Sequence, residues 1–144
     1  MALEKVMIEI NLDSRWWNKP PRTKVWLDNI VLQQATEVTG PLKITWEGFL
    51  DEGEHEIKVS LMGKENISET ILDEKGHIIK DQILSIKSVI LDEIDVEMML
   101  YDFSSFAAKT GEIQNKTIDL GFNGDWTFKF SVPVYQWLLE RWSP

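Results

Sequence analysis

The side chains best suited to chemistry fall into two clusters. The segment KENISETILDEKGHIIKDQ, residues 64–82, gathers Glu65, Asn66, Glu69, Asp73, Glu74 and Asp81 between two strongly apolar runs. Carboxylate and amide oxygens on a connecting segment are what a hard cation such as calcium needs, about six to eight of them around one ion. Asp73, Glu74 and Asp81 are therefore candidate metal ligands, brought together if this segment folds over the sheet. The second cluster, SRWWNKPPR at residues 14–22, sets Trp16 and Trp17 in a Pro-containing loop between Arg15 and Arg22. An indole offers a broad, rigid apolar face, suited to stacking on a sugar ring or to anchoring a protein contact. Adjacent residues of an extended segment point opposite ways, so one of the two indoles is expected to pack and the other to stay exposed. Trp16, Trp17, Asp73 and Asp81 form the candidate ligand-binding set read from the residues.

Other chemistries find little support. The chain has no Cys, which excludes disulfides, thiolate metal sites and a thiol nucleophile. Its two His, His55 and His77, do not share a zinc-type spacing. His55 falls on an inward strand position and reads as a satisfied core histidine; His77 sits beside a turn Gly. There is no phosphate-binding Gly loop, nucleophile elbow or dinucleotide fingerprint. LDEIDVE, residues 91–97, lacks the Gly of an EF-hand loop and reads as a solvated strand end. A carboxylate pair for glycoside hydrolysis is permitted by 24 Asp and Glu but marked by no motif.

Most of the chain alternates with a period of two, the pattern of half-buried antiparallel strands. In EHEIKVSLM the inward set is His55, Ile57, Val59 and Leu61; in KVMIEINLD it is Val6, Ile8, Ile10 and Leu12. LKITWE contributes Leu42, Ile44 and Trp46, and DWTFKFSV contributes Trp126, Phe128, Phe130 and Val132. VWLDNIVL and ILSIKSVIL are apolar on both parities and read as central strands covered on both faces. Trp26, Trp46 and Trp126 are assigned to the core. DEKG, followed by HIIKD, reads as a hairpin with Gly76 in the left-handed conformation. With turn signals at NKPP, TGP, DEGE and GFNGD, the expected architecture is a two-sheet antiparallel β-sandwich, jelly-roll-like, forming one domain over residues 1–144. SVPVYQWLLERWSP is the exception. Pro133 suits a first helical position and Val134, Trp137, Leu138 and Arg141 recur at helical spacing, so a short C-terminal helix closes the chain. Trp137 and Trp142 are too far apart to share one face, so one is expected to dock and the other to meet a partner in a homo-oligomer.

The formal charge is −9, and it is unevenly placed. Residues 1–26 carry five Lys/Arg against three Asp/Glu, whereas residues 47–102 carry five against fifteen, a local net of −10. Such a surface repels phosphate backbones, so nucleic acid is excluded as a partner. No apolar run reaches membrane-spanning length and the N-terminus lacks the continuous apolar region of a signal peptide. Synthesis in a cytoplasm without export is the expectation, which leaves the Asn66 and Asn115 sequons unused.

Two resemblances extend this reading. GEHEIKVSLMGKEN and KDQILSIKSVILDEI resemble the core of the calcium-dependent carbohydrate-binding jelly-roll modules of xylanases, with Asn66 and Asp81 at positions that the resemblance places near calcium and glycan. The motif departs at Ile67, Gln82, Ile83 and Lys87, and the lost carboxylates weaken the implied calcium site. The order of these strands, then GFNGDWTFKF and PVYQWLLE, resembles small β-sandwich proteins of T4-like and cyanobacterial phages, implying a virion destination from the host cytoplasm. Together they imply a non-catalytic module that recognises a carbohydrate or a neighbouring virion protein through loop carboxylates and exposed Trp. A purely architectural, self-associating virion protein and a small glycan-processing enzyme are the alternatives.

Overall fold

The computed structural model describes residues 3–64, 70–100, 102–115 and 117–142. Alternating side chains build two antiparallel sheets that face each other across one interior. The first has the order β12 (Asp119–Leu120), β8 (Ile83–Leu91), β1 (Leu3–Arg15), β4 (Leu42–Asp51), with the short β9 (Ile94–Asp95) paired to β8. The second runs β11 (Ile113–Asn115), β10 (Ser104–Ala108), β13 (Gly124–Val132), β5 (Gly53–Met62), β2 (Arg22–Leu27), β3 (Ile30–Glu37). A separate hairpin, β6 (Ile71–Leu72) with β7 (Ile78–Lys80), stands apart from both. The protein is an all-β sandwich, as its alternation requires.

The interior is the inward set that the alternation picks out. Val6, Ile8, Ile10 and Leu12 of β1 face Ile57, Val59 and Leu61 of β5 and Trp126, Phe128, Phe130 and Val132 of β13, all buried. Two doubly apolar segments resolve differently from expectation. VWLDNIVL is not a central strand; it is the β2–β3 hairpin, reversed at Asp28 and Asn29 with Leu27 opposite Ile30. Asp28 takes the positive φ of 51° that a tight turn needs and that Asp tolerates better than most residues. β3 is thus an edge strand, and its Ile30 and Val31 are exposed.

ILSIKSVIL, now β8, lies inside its sheet, but only one of its faces fills the core. Its register against β1 jumps from Asn11 opposite Ser88 to Leu12 opposite Ile86, leaving Lys87 as a bulge residue. The extra residue flips parity, so Leu84 and Ile86 point inward before it and Val89 and Leu91 after it. Trp26 also departs from its core assignment. Thr23, Val25 and Leu27 take the inward parity of β2, so Trp26 lies half-buried on the outer face with the Lys24 and Lys58 ammonium groups 5.1 and 4.3 Å from its ring.

The LDEIDVE segment joins two strand ends through a turn: Leu91 closes β8 and Ile94–Asp95 forms β9. Asp92 and Glu93 both have positive φ between β8 and β9, and α1 (Glu97–Leu100) follows with Asp95 Oδ1 accepting from the Glu97 amide at 2.9 Å. The closing helix α2 spans Val134–Trp142, with Pro133 just before it and the Pro133 carbonyl accepting from the Trp137 amide at 3.1 Å. Trp137 is the indole of the pair that docks: it is 4% exposed and meets Phe103, Phe128 and Phe130 edge-on, so it is unavailable to a partner.

Close approach of β10 to β13 depends on Gly124. A Cβ there would stand 2.3 Å from the Ala107 carbonyl oxygen and 2.7 Å from the Ala108 Cα, both backbone atoms that cannot swing aside. Gly124→Ala is expected to cost about 1–3 kcal/mol as an overpacking substitution, read as a lower midpoint in thermal or denaturant unfolding.

Candidate functional site

Antiparallel pairing of β1 with β8 ends at Arg15 opposite Ile83. Chain continuing past Arg15 therefore runs beside chain arriving at Ile83, and Trp16 and Trp17 come to lie next to Ile78, Ile79, Lys80 and Asp81. These residues line an open groove of about 490 Å³. Its walls are the loop from Trp16 to Pro21, which crosses from the first sheet to the second, and the β6–β7 hairpin. Of the candidate binding residues, the fold brings Trp16, Trp17 and Asp81 together. A concavity of about 390 Å³ on the outer face of the first sheet, lined by Met7, Trp46 and Glu47 among others, gathers none of them.

Both indoles are half-exposed, at 40% for Trp16 and 41% for Trp17, instead of one packed and one free. The chain bends at residues 17–19, so the strict alternation of an extended segment is lost there. Trp16 Nε1 donates to the Thr39 carbonyl at 3.2 Å, and the Lys80 ammonium lies 4.9 Å from the centre of the Trp17 ring. The loop is pinned from beneath. Gln82, buried at the start of β8, donates to the Lys19 carbonyl at 3.0 Å, and the Pro21 carbonyl accepts from the Val38 amide at 2.8 Å.

The hairpin wall forms as its sequence suggests. Gly76 has φ of 83°, its amide donates to the Asp73 carbonyl at 3.0 Å, and the Asp73 amide donates to the His77 carbonyl at 2.8 Å. Asp73 Oδ1 accepts from the Lys75 and His77 amides, both at 2.9 Å, so this carboxylate holds its own turn. Glu74 is exposed at the hairpin tip. Asn66 lies outside the described residues.

Asp81 is committed elsewhere. Its Oδ1 accepts from Lys64 Nζ at 2.6 Å, Thr70 Oγ1 at 2.8 Å and the Gln82 amide at 2.8 Å. Lys64 also donates to the Gly121 carbonyl, and its side chain is only 1% exposed. The Asn123 side chain clasps the Lys64 backbone, accepting from its amide and donating to its carbonyl, both at 2.9 Å. Burial alone would raise the Asp81 pKa, but the Lys64 ammonium and the Thr70 and Gln82 donors outweigh it and hold the carboxyl below its ordinary 3.8.

These donors do not fit calcium. The oxygens of Asp81 and Gly121, which a hard cation could have used, already face an ammonium, and a second cation beside it would be repelled. Asp73 and Glu74 do not converge on Asp81, and among the described residues no group of three or more His, Asp or Glu could hold a metal ion. Sequence reasoning passed over Lys64 because a lone Lys after a strand carries no pattern; only the fold reveals that it is buried.

His55, assigned to the core, sits at its rim. Nδ1 lies 2.7 Å from Asp28 Oδ2 and Nε2 lies 2.7 Å from the Asp51 carbonyl. Both partners are acceptors, an arrangement that a doubly protonated ring satisfies. Burial lowers the His55 pKa, but the Asp28 carboxylate and Asp51 carbonyl outweigh it and raise the value above 6.5.

No protein-family model matches the chain, and no curated protein matches it. Two solved structures do share its fold. One is vCBM60 in complex with galactobiose: 11% identity, TM-score 0.50, covering 85% of this chain and 96% of that one. The other is the selenomethionine form of vCBM60, described with a circular permutation linking two families of calcium-dependent carbohydrate-binding modules: 12% identity, TM-score 0.54, covering 85% and 89%. At this identity the likeness is one of fold, and it agrees with the partial resemblance carried by the GEHEIKVSLMGKEN and KDQILSIKSVILDEI segments.

Two outcomes follow from these pairings. Because the folded His55 pKa is raised, its contribution is complete below the unfolded value and is lost as pH climbs through the folded one. His55→Ala should therefore depress the unfolding midpoint more at about pH 5.5 than at about pH 9. Lys64→Ala strands the Asp81 carboxylate and should cost about 3–5 kcal/mol by denaturant titration, whereas millimolar calcium or a chelator should leave the wild-type melting midpoint where it is.

Proposed function

We propose that this chain is a non-catalytic carbohydrate-binding domain that takes its ligand in the groove between the Trp16–Trp17 loop and the β6–β7 hairpin. The observation that carries the reading is the meeting of two half-exposed indoles with Ile78, Ile79 and polar groups in one groove. Aromatic faces with a few polar groups around them suit a pyranose, which has one apolar face and a rim of hydroxyls. The fold shared with a module bound to galactobiose lends the reading support.

Binding without hydrolysis is favoured by the lining itself. Glycoside hydrolysis uses two carboxyl groups about 5–10 Å apart, and among the described residues the groove presents one, Asp81, whose charge is matched by Lys64. Among the described residues no helix is long and apolar enough to cross a membrane. The resemblance to small phage proteins supplies a setting for this proposal, a virion protein that displays a glycan-binding face.

A glycan array probed with the intact chain tests the reading. At least one glycan should bind, and Trp16→Ala and Trp17→Ala should each weaken it about tenfold or more, as removal of a central aromatic anchor does. An array without signal, or alanine variants that bind as tightly as the parent, would remove the proposal.

A further inference from the structure

We infer that the sugar recognised in this groove is anionic, carrying a carboxylate or a sulfate; the inference rests on the carbohydrate reading above. The groove differs in charge from the rest of the molecule. The chain as a whole carries −9, yet among the described residues the charged side chains lining the groove are Arg15, Lys80 and Asp81. Asp81 is balanced by the Lys64 ammonium behind it at 2.6 Å. The described lining therefore offers a ligand a surplus of two cations.

Arg15 and Lys80 are exposed and form no ion pair among the described residues. Arg15 also borders a neighbouring concavity with Asp13 and Asp119, and both of these have other partners: Asp13 Oδ1 accepts from the Ser14 amide at 2.8 Å and Asp119 Oδ1 from Ser85 Oγ at 2.6 Å. Lys80 rests over the Trp17 ring, 4.9 Å from its centre. That contact is weaker than a hydrogen bond between an ammonium and an anion. An acidic substituent would draw Lys80 off the indole and uncover the face on which the sugar ring then stacks. Charge recognition and stacking are thus coupled through one side chain, and the planar guanidinium of Arg15 offers the paired donors that an oxyanion takes.

Calorimetric titration of the intact chain separates the outcomes. The probes are an oligogalacturonate, a sulfated galacto-oligosaccharide and the neutral galacto-oligosaccharide of equal length. At least one acidic probe should bind about tenfold tighter than the neutral one. That preference should shrink between about 0.1 M and about 1 M salt, as the screening length falls from about 10 Å to about 3 Å. Arg15→Gln and Lys80→Gln, each checked for an unchanged melting midpoint, should reduce the preference. Equal or tighter binding of the neutral sugar would overturn the anionic inference while leaving carbohydrate binding in place, as would a preference indifferent to both substitutions. No binding of these probes, together with an empty glycan array, would overturn both.

Discussion

A ladder of aromatic rings on β13 sets the separation of the two sheets. Trp126 and Phe128 lie nearly parallel, 8° apart with centroids 6.1 Å distant, and Phe128 and Phe130 meet Trp137 edge-on at 6.1 and 6.4 Å. Edge-to-face and offset arrangements add to what area burial alone supplies. The ladder joins three parts of the fold at once: the second sheet that carries it, the first sheet that covers it, and the helix that closes over one end. Removing such a ring typically costs about 3–5 kcal/mol, and a domain is usually stable by only about 5–15. Few positions elsewhere in the chain carry comparable weight.

With that spacing fixed, the ends of the strands determine where loops meet. The groove exists because β1 and β8 are neighbours whose pairing stops at Arg15 and Ile83. Alternation revealed both strands but could not reveal that they pair, since any two strands of like pattern could be adjacent. Local signals were fully legible: the inward residues of β1, β5 and β13, the hairpin at Gly76 and the closing helix follow from periodicity and turn chemistry alone. The failures share a physical cause. A hairpin hidden in VWLDNIVL and a bulge hidden in ILSIKSVIL both appear as apolar residues on two parities, and composition cannot distinguish a reversal or an inserted residue from a strand buried on both faces.

Legibility of the site divides along the same line. Trp16, Trp17 and Asp81 were identifiable as types suited to recognition, and the fold unites them. Asp73 was chosen for its carboxylate, which the chain spends on its own turn amides. Lys64 was invisible because its importance lies in burial and partners, both long-range properties. It links the end of β5, the entry to β8 and the segment before β13 through Asp81, Gly121 and Asn123. An ammonium supplied by the chain fills a position among oxygen donors, and the neighbouring carboxylate stays ionised without a metal.

The two walls of the groove are anchored unequally. The Trp16–Trp17 loop is tied to buried Gln82 and to Thr39 and Val38, whereas among the described residues the β6–β7 hairpin shares no hydrogen-bonded ladder with either large sheet and is held at its base, where Thr70 and Asp81 meet Lys64. A lone two-stranded ribbon is marginal by itself, so a ligand taken in the groove as proposed would settle one wall against a stiffer counterpart. Association should then carry a heat larger than its affinity suggests, part of it offset by the lost freedom of the ribbon, and tightening the ribbon would strengthen capture without adding a single contact.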